Sequence, residues 1–169
     1  LGFDHHPTKK IAYSNTITSA EETDLNDVWE LCKFHRYDLP FKDSVHHLMC
    51  NPRNVSALSL LHISEVQPSS PEEDVQEGKV IHEEVAGFVC ICPNDSPSVR
   101  TNLISVDIRG LVHNLSLGEE HVAALIYEAL CQYCQAKTNT ALPASPKLEV
   151  SIWLPPTEVT FFRTVYVYI

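Results

Sequence analysis

Glycine is scarce in this chain, 5 of 169 residues, and proline supplies 11. That scarcity excludes collagen-like and low-complexity architectures. Long apolar runs are missing as well. None approaches the roughly 20 residues a membrane-spanning helix requires, so no membrane partner is expected. The chain carries no Ser nucleophile elbow, no P-loop and no glycine-rich dinucleotide fingerprint. Basic residues are outnumbered: 12 Lys and Arg face 22 Asp and Glu, for a net charge of −10 with His neutral. An acidic surface repels phosphate backbones, which removes nucleic acid from the expected partners. The first residue is Leu1 rather than Met, so the chain reads as a piece of a longer protein. Missing targeting signals therefore carry no information.

What is present suits one domain over residues 1–169. Hydrophobic residues make up 44% of the chain, enough to bury a core without disulfides or metal. Six cysteines occur, at Cys32, Cys50, Cys90, Cys92, Cys131 and Cys134, most of them inside apolar runs. There a free thiol packs as a small hydrophobe. This usage points to a reducing intracellular location, cytoplasmic or nuclear. Sequons at Asn54, Asn94 and Asn114 are of a kind common by chance, and no glycosylation is expected.

Periodicity divides the chain into elements. Lys10 to Thr18 alternates loosely and is rich in β-branched residues, as a strand is. Leu25, Val28, Trp29 and Cys32 recur at i, i+3, i+4 and i+7, one face of a helix, with the early acids Glu21, Glu22 and Asp24 at its start. Pro40 breaks this pattern, and a second helix is expected from Lys42 to Cys50, ended by Asn51-Pro52. Val55 to Ile63 reads as a strand. Glu65 to Glu84, rich in Pro, Ser, Glu and Asp, reads as a flexible acidic insertion. Val85 to Cys92 is a continuous apolar run, as in a central strand. Pro93 to Ser98 make a turn.

Leu103 to Leu117 is β-prone, with Gly110 marking a bulge or kink. Val122, Leu125, Ile126, Ala129, Leu130, Tyr133 and Cys134 then define a long amphipathic helix from Glu119 to Lys137. Lys147 to Leu154 is a further strand, stopped by Pro155-Pro156. A last helix over Thr157 to Thr164 follows, and Val165 to Ile169 is a strand or a cut end. The expected fold class is α/β in the α+β sense: a mixed sheet with helices on both faces. The three middle strands are antiparallel, and the long helix makes a right-handed crossover between parallel strands.

This order resembles that of the GNAT superfamily of acetyl-CoA-dependent N-acetyltransferases. Ile17 to Leu25 is similar to the family's opening strand running into "A-x-x-x-D-L", and Val85-Ala86-Gly87-Phe88 to its "V-x-G-F" strand. Leu111 to Leu117 and the long helix resemble its cofactor strand and cofactor helix, and Phe161-Phe162 its "F-Y" in the last helix. The resemblance implies a splayed sheet that takes acetyl-CoA, with the pyrophosphate on the helix amides in a loop written (Arg/Gln)-x-x-Gly-x-(Gly/Ala). A helix N-terminus leaves unpaired N–H donors and about half a positive charge, which is why it holds anions. The positions carried over as cofactor contacts are Leu115, Leu117, Gly118, Glu119, Glu120 and His121.

The same stretch departs from the family pattern. It holds one glycine, Gly118, and no Arg, Gln or Lys from Asn114 to His121. Glu119 and Glu120 stand where the pyrophosphate would lie. In a helix's first turn each carboxylate stabilises the helix by roughly 0.3–1 kcal/mol. Like charges about 4 Å apart at an effective dielectric near 20 repel by about 4 kcal/mol, and even a third of that costs about tenfold in affinity. Phe162 occupies the place of the family's acid Tyr and has no proton to give. Pro155 and Glu158 likewise replace the family's upstream Asn and Ala. Tyr166, a turn later, is the candidate substitute acid. His113, on the presumed cofactor strand, is the candidate general base, with Asp107 a weaker one.

Two functions follow from the resemblance. One is a degenerate, non-catalytic module, a pseudoenzyme without cofactor whose partners are proteins or the rest of a larger chain. The other is an active N-acetyltransferase that uses acetyl-CoA and direct transfer to an amine. No metal site is expected: Cys131 and Cys134 sit mid-helix, away from zinc-knuckle turns, and the adjacent His46 and His47 point about 100° apart on their helix.

Overall fold

A computed structural model describes residues 10–33, 41–66, 79–95, 103–114, 117–138 and 147–152. In chain order the elements are β1 (Lys10–Ser19), a 3-10 turn at Glu22–Asp24, α1 (Leu25–Cys32), α2 (Lys42–Cys50), β2 (Val55–Val66), β3 (Lys79–Pro93), β4 (Leu103–His113), α3 (Glu119–Thr138) and β5 (Lys147–Ile152). At the start of α1, Glu21 donates its backbone N–H to the Asp24 carboxylate at 2.8 Å, so an early acid satisfies an orphan amide. The apolar stripe of α1 faces inward through Val28 and Cys32, both fully buried.

The five strands lie in the order β1-β2-β3-β4-β5. The first four pair antiparallel, and β4 pairs parallel with β5 from Leu103↔Lys147 to Ile108↔Ile152. This is the mixed sheet expected from the element order, with α3 linking the parallel pair. Helices cover both faces. α1 and α2 send Val28, Cys32 and Val45 onto Leu58, Phe88, Cys90 and Val112. On the other face α3 sends Val122, Leu125, Ile126 and Ala129 onto Val89, Ile91, Val106 and Ile108.

β3 feeds both cores because successive side chains on a strand point to opposite faces. Phe88 and Cys90 serve the α1–α2 side, and Val89 and Ile91 the α3 side. The β2–β3 register slips twice, once at Ile81, where Ile63 pairs with His82 and Ser64 with Val80, and once at Ala86. Ser59 pairs with Gly87 and Leu60 with Val85, so Ala86 is an extra residue in β3. At Gly87 a Cβ would lie 3.0 Å from Leu125 Cδ2 and 3.2 Å from Leu117 Cδ2, so α3 packs directly on the β3 backbone.

β4 carries the irregularity expected at Gly110. Phe88 pairs with Val112 and Cys90 with Arg109, so β4 has one residue more than β3 across this step. Gly110 has φ 62°, in the left-handed region, where a Cβ is strained. Beyond this bulge β4 turns His113 and Asn114 toward the end of the sheet. Among the described residues, β5 pairs with β4 only as far as Ile108.

The acidic insertion is shorter than the sequence reading of Glu65 to Glu84. β2 continues to Val66 and β3 starts at Lys79, so both ends of that segment are strand. Their polar side chains pair across the sheet: His62 Nδ1 lies 2.9 Å from Glu83 Oε2, and His62 Nε2 lies 2.7 Å from Thr16 Oγ1. Neither face of this arm is fully covered, with Ile81 and His82 exposed, which is why its composition resembles a loop. β4 also ends sooner than expected, at His113. The expected helix over 157–164, the expected strand over 165–169, and Tyr166 and Phe162 lie outside the described residues, as do residues 67–78 of the insertion.

The bulge gives a direct test. Gly110→Ala is expected to cost about 1–2 kcal/mol, the penalty of a Cβ in the left-handed region. It should appear as a lower urea midpoint with an unchanged denaturant slope.

Candidate functional site

The end of β4 and the start of α3 meet in a short turn. Asn114 donates its backbone N–H to the Ala86 carbonyl at 2.7 Å, and Leu117 donates to the Asn114 carbonyl at 2.9 Å. The amides of His121 and Val122 both reach the Gly118 carbonyl, at 3.0 and 3.2 Å, and start the helix. Leu117 is 7% exposed and belongs to the α3-side core, so it anchors the turn. Gly118, Glu119, Glu120 and His121 are all exposed. Gly118 has no positive φ, and a Cβ there would meet only His121 Nδ1, at 3.6 Å. The turn therefore opens to solvent, and neither conformation nor crowding requires a glycine at this position.

His113 is the leading sequence-expected catalytic residue within the described part. Its side chain is buried, at 7% exposure, and its Nδ1 lies 3.2 Å from the Asn114 carbonyl. It lines a cavity of about 970 Å³ on the α1 face. Asp24, Asp27 and Glu30 form one wall, Glu83 and Glu84 of β3 another, and Leu58, Leu60 and Val85 contribute apolar surface. Among the described residues that line it there is no Lys or Arg. A second cavity, about 570 Å³, lies between Tyr13, Ser14 and Asn15 of β1 and Leu117 and His121 beside α3. Glu84 borders both cavities, and among the described residues the second also lacks Lys and Arg. With Glu119 and Glu120 in the first turn of α3, the surroundings of this helix start are acidic.

Asp24, Asp27 and Glu30 were not singled out from sequence. Their signal is a three-residue step, which keeps side chains close to one face of a helix. Glu83 and Glu84 were assigned to the insertion and so were missed. Asp107 does not join the site. It pairs with Cys92 while His113 pairs with Gly87, and six residues of strand separate the two by about 20 Å. Asp107 instead accepts a hydrogen bond from Asn94 Nδ2 at 3.0 Å and braces the turn between β3 and β4. Leu115 lies outside the described residues, as does Tyr166.

The cysteines do not converge into one centre. Cys90 and Cys92 belong to the α1–α2 face, their Sγ atoms 3.7 Å apart, whereas Cys131 and Cys134 sit on α3 beyond the opposite face. Burial pushes the Cys32 thiol up to about 12. The hydrogen bond with Cys92, together with burial, pushes the Cys90 thiol well above its usual range. His46 and His47 meet edge to face, with centroids 6.2 Å apart.

No family model matches this chain, and no curated protein does. Solved structures do. A ribosomal-protein-alanine N-acetyltransferase from Brucella melitensis biovar Abortus 2308 is similar at TM-score 0.55 and 14% identity, over 92% of this chain and 90% of that one. Glucosamine-6-phosphate N-acetyltransferase from Arabidopsis thaliana is similar at TM-score 0.55 and 10% identity, over 90% of each chain. An aminoglycoside acetyltransferase from an uncultured soil metagenomic sample, solved with sisomicin, is similar at TM-score 0.53 and 9% identity, over 90% of this chain and 86% of that one. The chain has the fold of the GNAT acetyltransferases, as its element order implied. At these identities the likeness concerns the fold, and a fold does not carry a chemistry with it.

The thiols give this site's prediction. In the native protein near pH 8, iodoacetamide should label the exposed Cys50 first. Cys32 and Cys90 should remain unmodified, because a buried thiol with a raised pKa stays protonated and the thiolate is the nucleophile. Mass spectrometry should find them labelled only after denaturant is added.

Proposed function

We propose that this domain uses the GNAT fold as a structural or protein-interaction module of a larger intracellular protein and does not hold acetyl-CoA as a cofactor. One observation carries the reading: the start of α3 is surrounded by acids. Glu119 and Glu120 stand in its first turn, and Glu84 borders the cavities on both sides of the neighbouring turn. Among the described residues, neither cavity offers a Lys or Arg. The helix amides and dipole still attract an anion, but a diphosphate there would face carboxylates with no basic side chain among the described residues to offset them. The same acids stabilise α3 itself, so a packing role is sufficient reason for their presence. Thiols at all six cysteines suit a reducing compartment.

A second reading rests on the cavity at His113. Its five carboxylates suit a cationic amine, and its imidazole lies at the end of the strand that the resemblance assigns to the cofactor. In that reading the amine attacks the thioester carbonyl and forms the amide bond as the carbon–sulfur bond breaks. His113, directly or through water, takes the amine's proton, and Tyr166 supplies one to the departing thiolate. Backbone amides over 115–117 polarise the carbonyl. The similar structures include acetyltransferases named for an aminoglycoside and for glucosamine 6-phosphate, which makes amine acceptors the class to try.

Thermal denaturation with millimolar acetyl-CoA separates the readings. The first predicts an unchanged melting temperature and no acetylated product from amine acceptors. A ligand at 100 times its dissociation constant adds about 2.7 kcal/mol of stability. A shift of that size, with thiol release in the presence of an amine, would establish the second reading instead.

A further inference from the structure

We infer that Glu22, His46 and Cys50 form a surface site for a divalent cation of the zinc type. The donors come from two elements. Glu22 opens the 3-10 turn ahead of α1, and His46 and Cys50 stand four residues apart on α2. That step places two helical side chains on one face, a turn apart. The carboxylate already meets the imidazole, with His46 Nε2 3.1 Å from Glu22 Oε1. One donor atom from each of the three residues lies within 4.8 Å of the other two. Around a tetrahedral zinc ion with bonds of about 2.0–2.3 Å, neighbouring donors sit roughly 3.3–3.8 Å apart, so small side-chain rotations complete the set. Imidazole nitrogen, thiolate sulfur and carboxylate oxygen are the donors zinc takes in proteins. Three protein ligands leave the fourth position to water.

The setting favours a reversible clamp. Glu22 and Cys50 are exposed and His46 is half-buried, so the ion enters from solvent. Once bound, it ties the 3-10 turn to α2. It thereby holds α1, whose Asp27 and Glu30 wall the acidic cavity. Among the described residues no other group of three such donors converges. Cys131 and Cys134, the C-x-x-C that stands out in the sequence, gain no third ligand there. The site lies away from the start of α3, so it holds whether or not acetyl-CoA binds.

Cobalt(II) titrated into the whole chain under a phosphine reductant tests the site. One equivalent should bind, with a near-ultraviolet thiolate-to-cobalt band and the visible absorption of tetrahedral cobalt, and zinc should displace it. Zinc alone should raise the melting temperature. Cys50→Ser should abolish the thiolate band and the thermal shift, and Glu22→Gln should keep the band while binding more weakly. Both residues are exposed, so the fold should survive, and far-ultraviolet circular dichroism should read the same as for the wild-type chain. No thiolate band on adding cobalt, or a band undiminished in Cys50→Ser, would overturn the assignment.

Discussion

β3 has a core on each side of it, and that double burial constrains the rest of the molecule. Phe88 and Cys90 must fit beneath α1 and α2 while Val89 and Ile91 fit beneath α3. A slip of one residue would exchange the two sets. The register is nonetheless interrupted, and two of the interruptions lie close together, the extra residue Ala86 in β3 and the bulge at Gly110 in β4. Both lie near the end of the sheet where His113 emerges. The hydrogen bond from Asn114 N–H to the Ala86 carbonyl ties the two irregularities to each other. Packing at Gly87 then sets α3 directly on β3, which fixes where the N-terminus of α3 lies.

The polar side of the molecule follows from that placement. The end of β4 and the arm of β3 that carries Glu83 and Glu84 line one cavity, to which the 3-10 turn adds Asp24 and α1 adds Asp27 and Glu30, and Glu84 also borders the cavity beside the start of α3. Negative charge thus gathers where the fold offers a helix N-terminus, its natural anion seat. The chain has the fold of the GNAT acetyltransferases, and on the proposed reading the charge around that seat runs against a diphosphate.

Much of this was legible in the sequence. The i, i+3, i+4 stripes of α1 and α3, the apolar run of β3 and the lone Gly110 each led to the right element, because each reports burial on a known period. The arm from Lys79 to Glu84 was not legible. Glu83's partner, His62, lies on β2, and a residue stabilised by a cross-strand pair leaves no mark of its own in the local composition. His113 was found from its place on the presumed cofactor strand, but its cavity was not, since the cavity's walls come from elements more than fifty residues apart. The clamp residues were passed over for a related reason. His47 draws attention as His46's neighbour in sequence, whereas the helix places Cys50 beside His46 and the 3-10 turn brings Glu22 to both.

The central claim is that carboxylates at the start of α3 keep a diphosphate away. Calorimetric titration of CoA into the wild-type chain and into the double variant Glu119→Gly/Glu120→Arg measures it most directly. The account predicts no binding heat for the wild-type chain and saturable binding for the variant, whose opened turn and added guanidinium would complete the anion seat. Saturable binding of CoA by the wild-type chain, as tight as that of the variant, would contradict it.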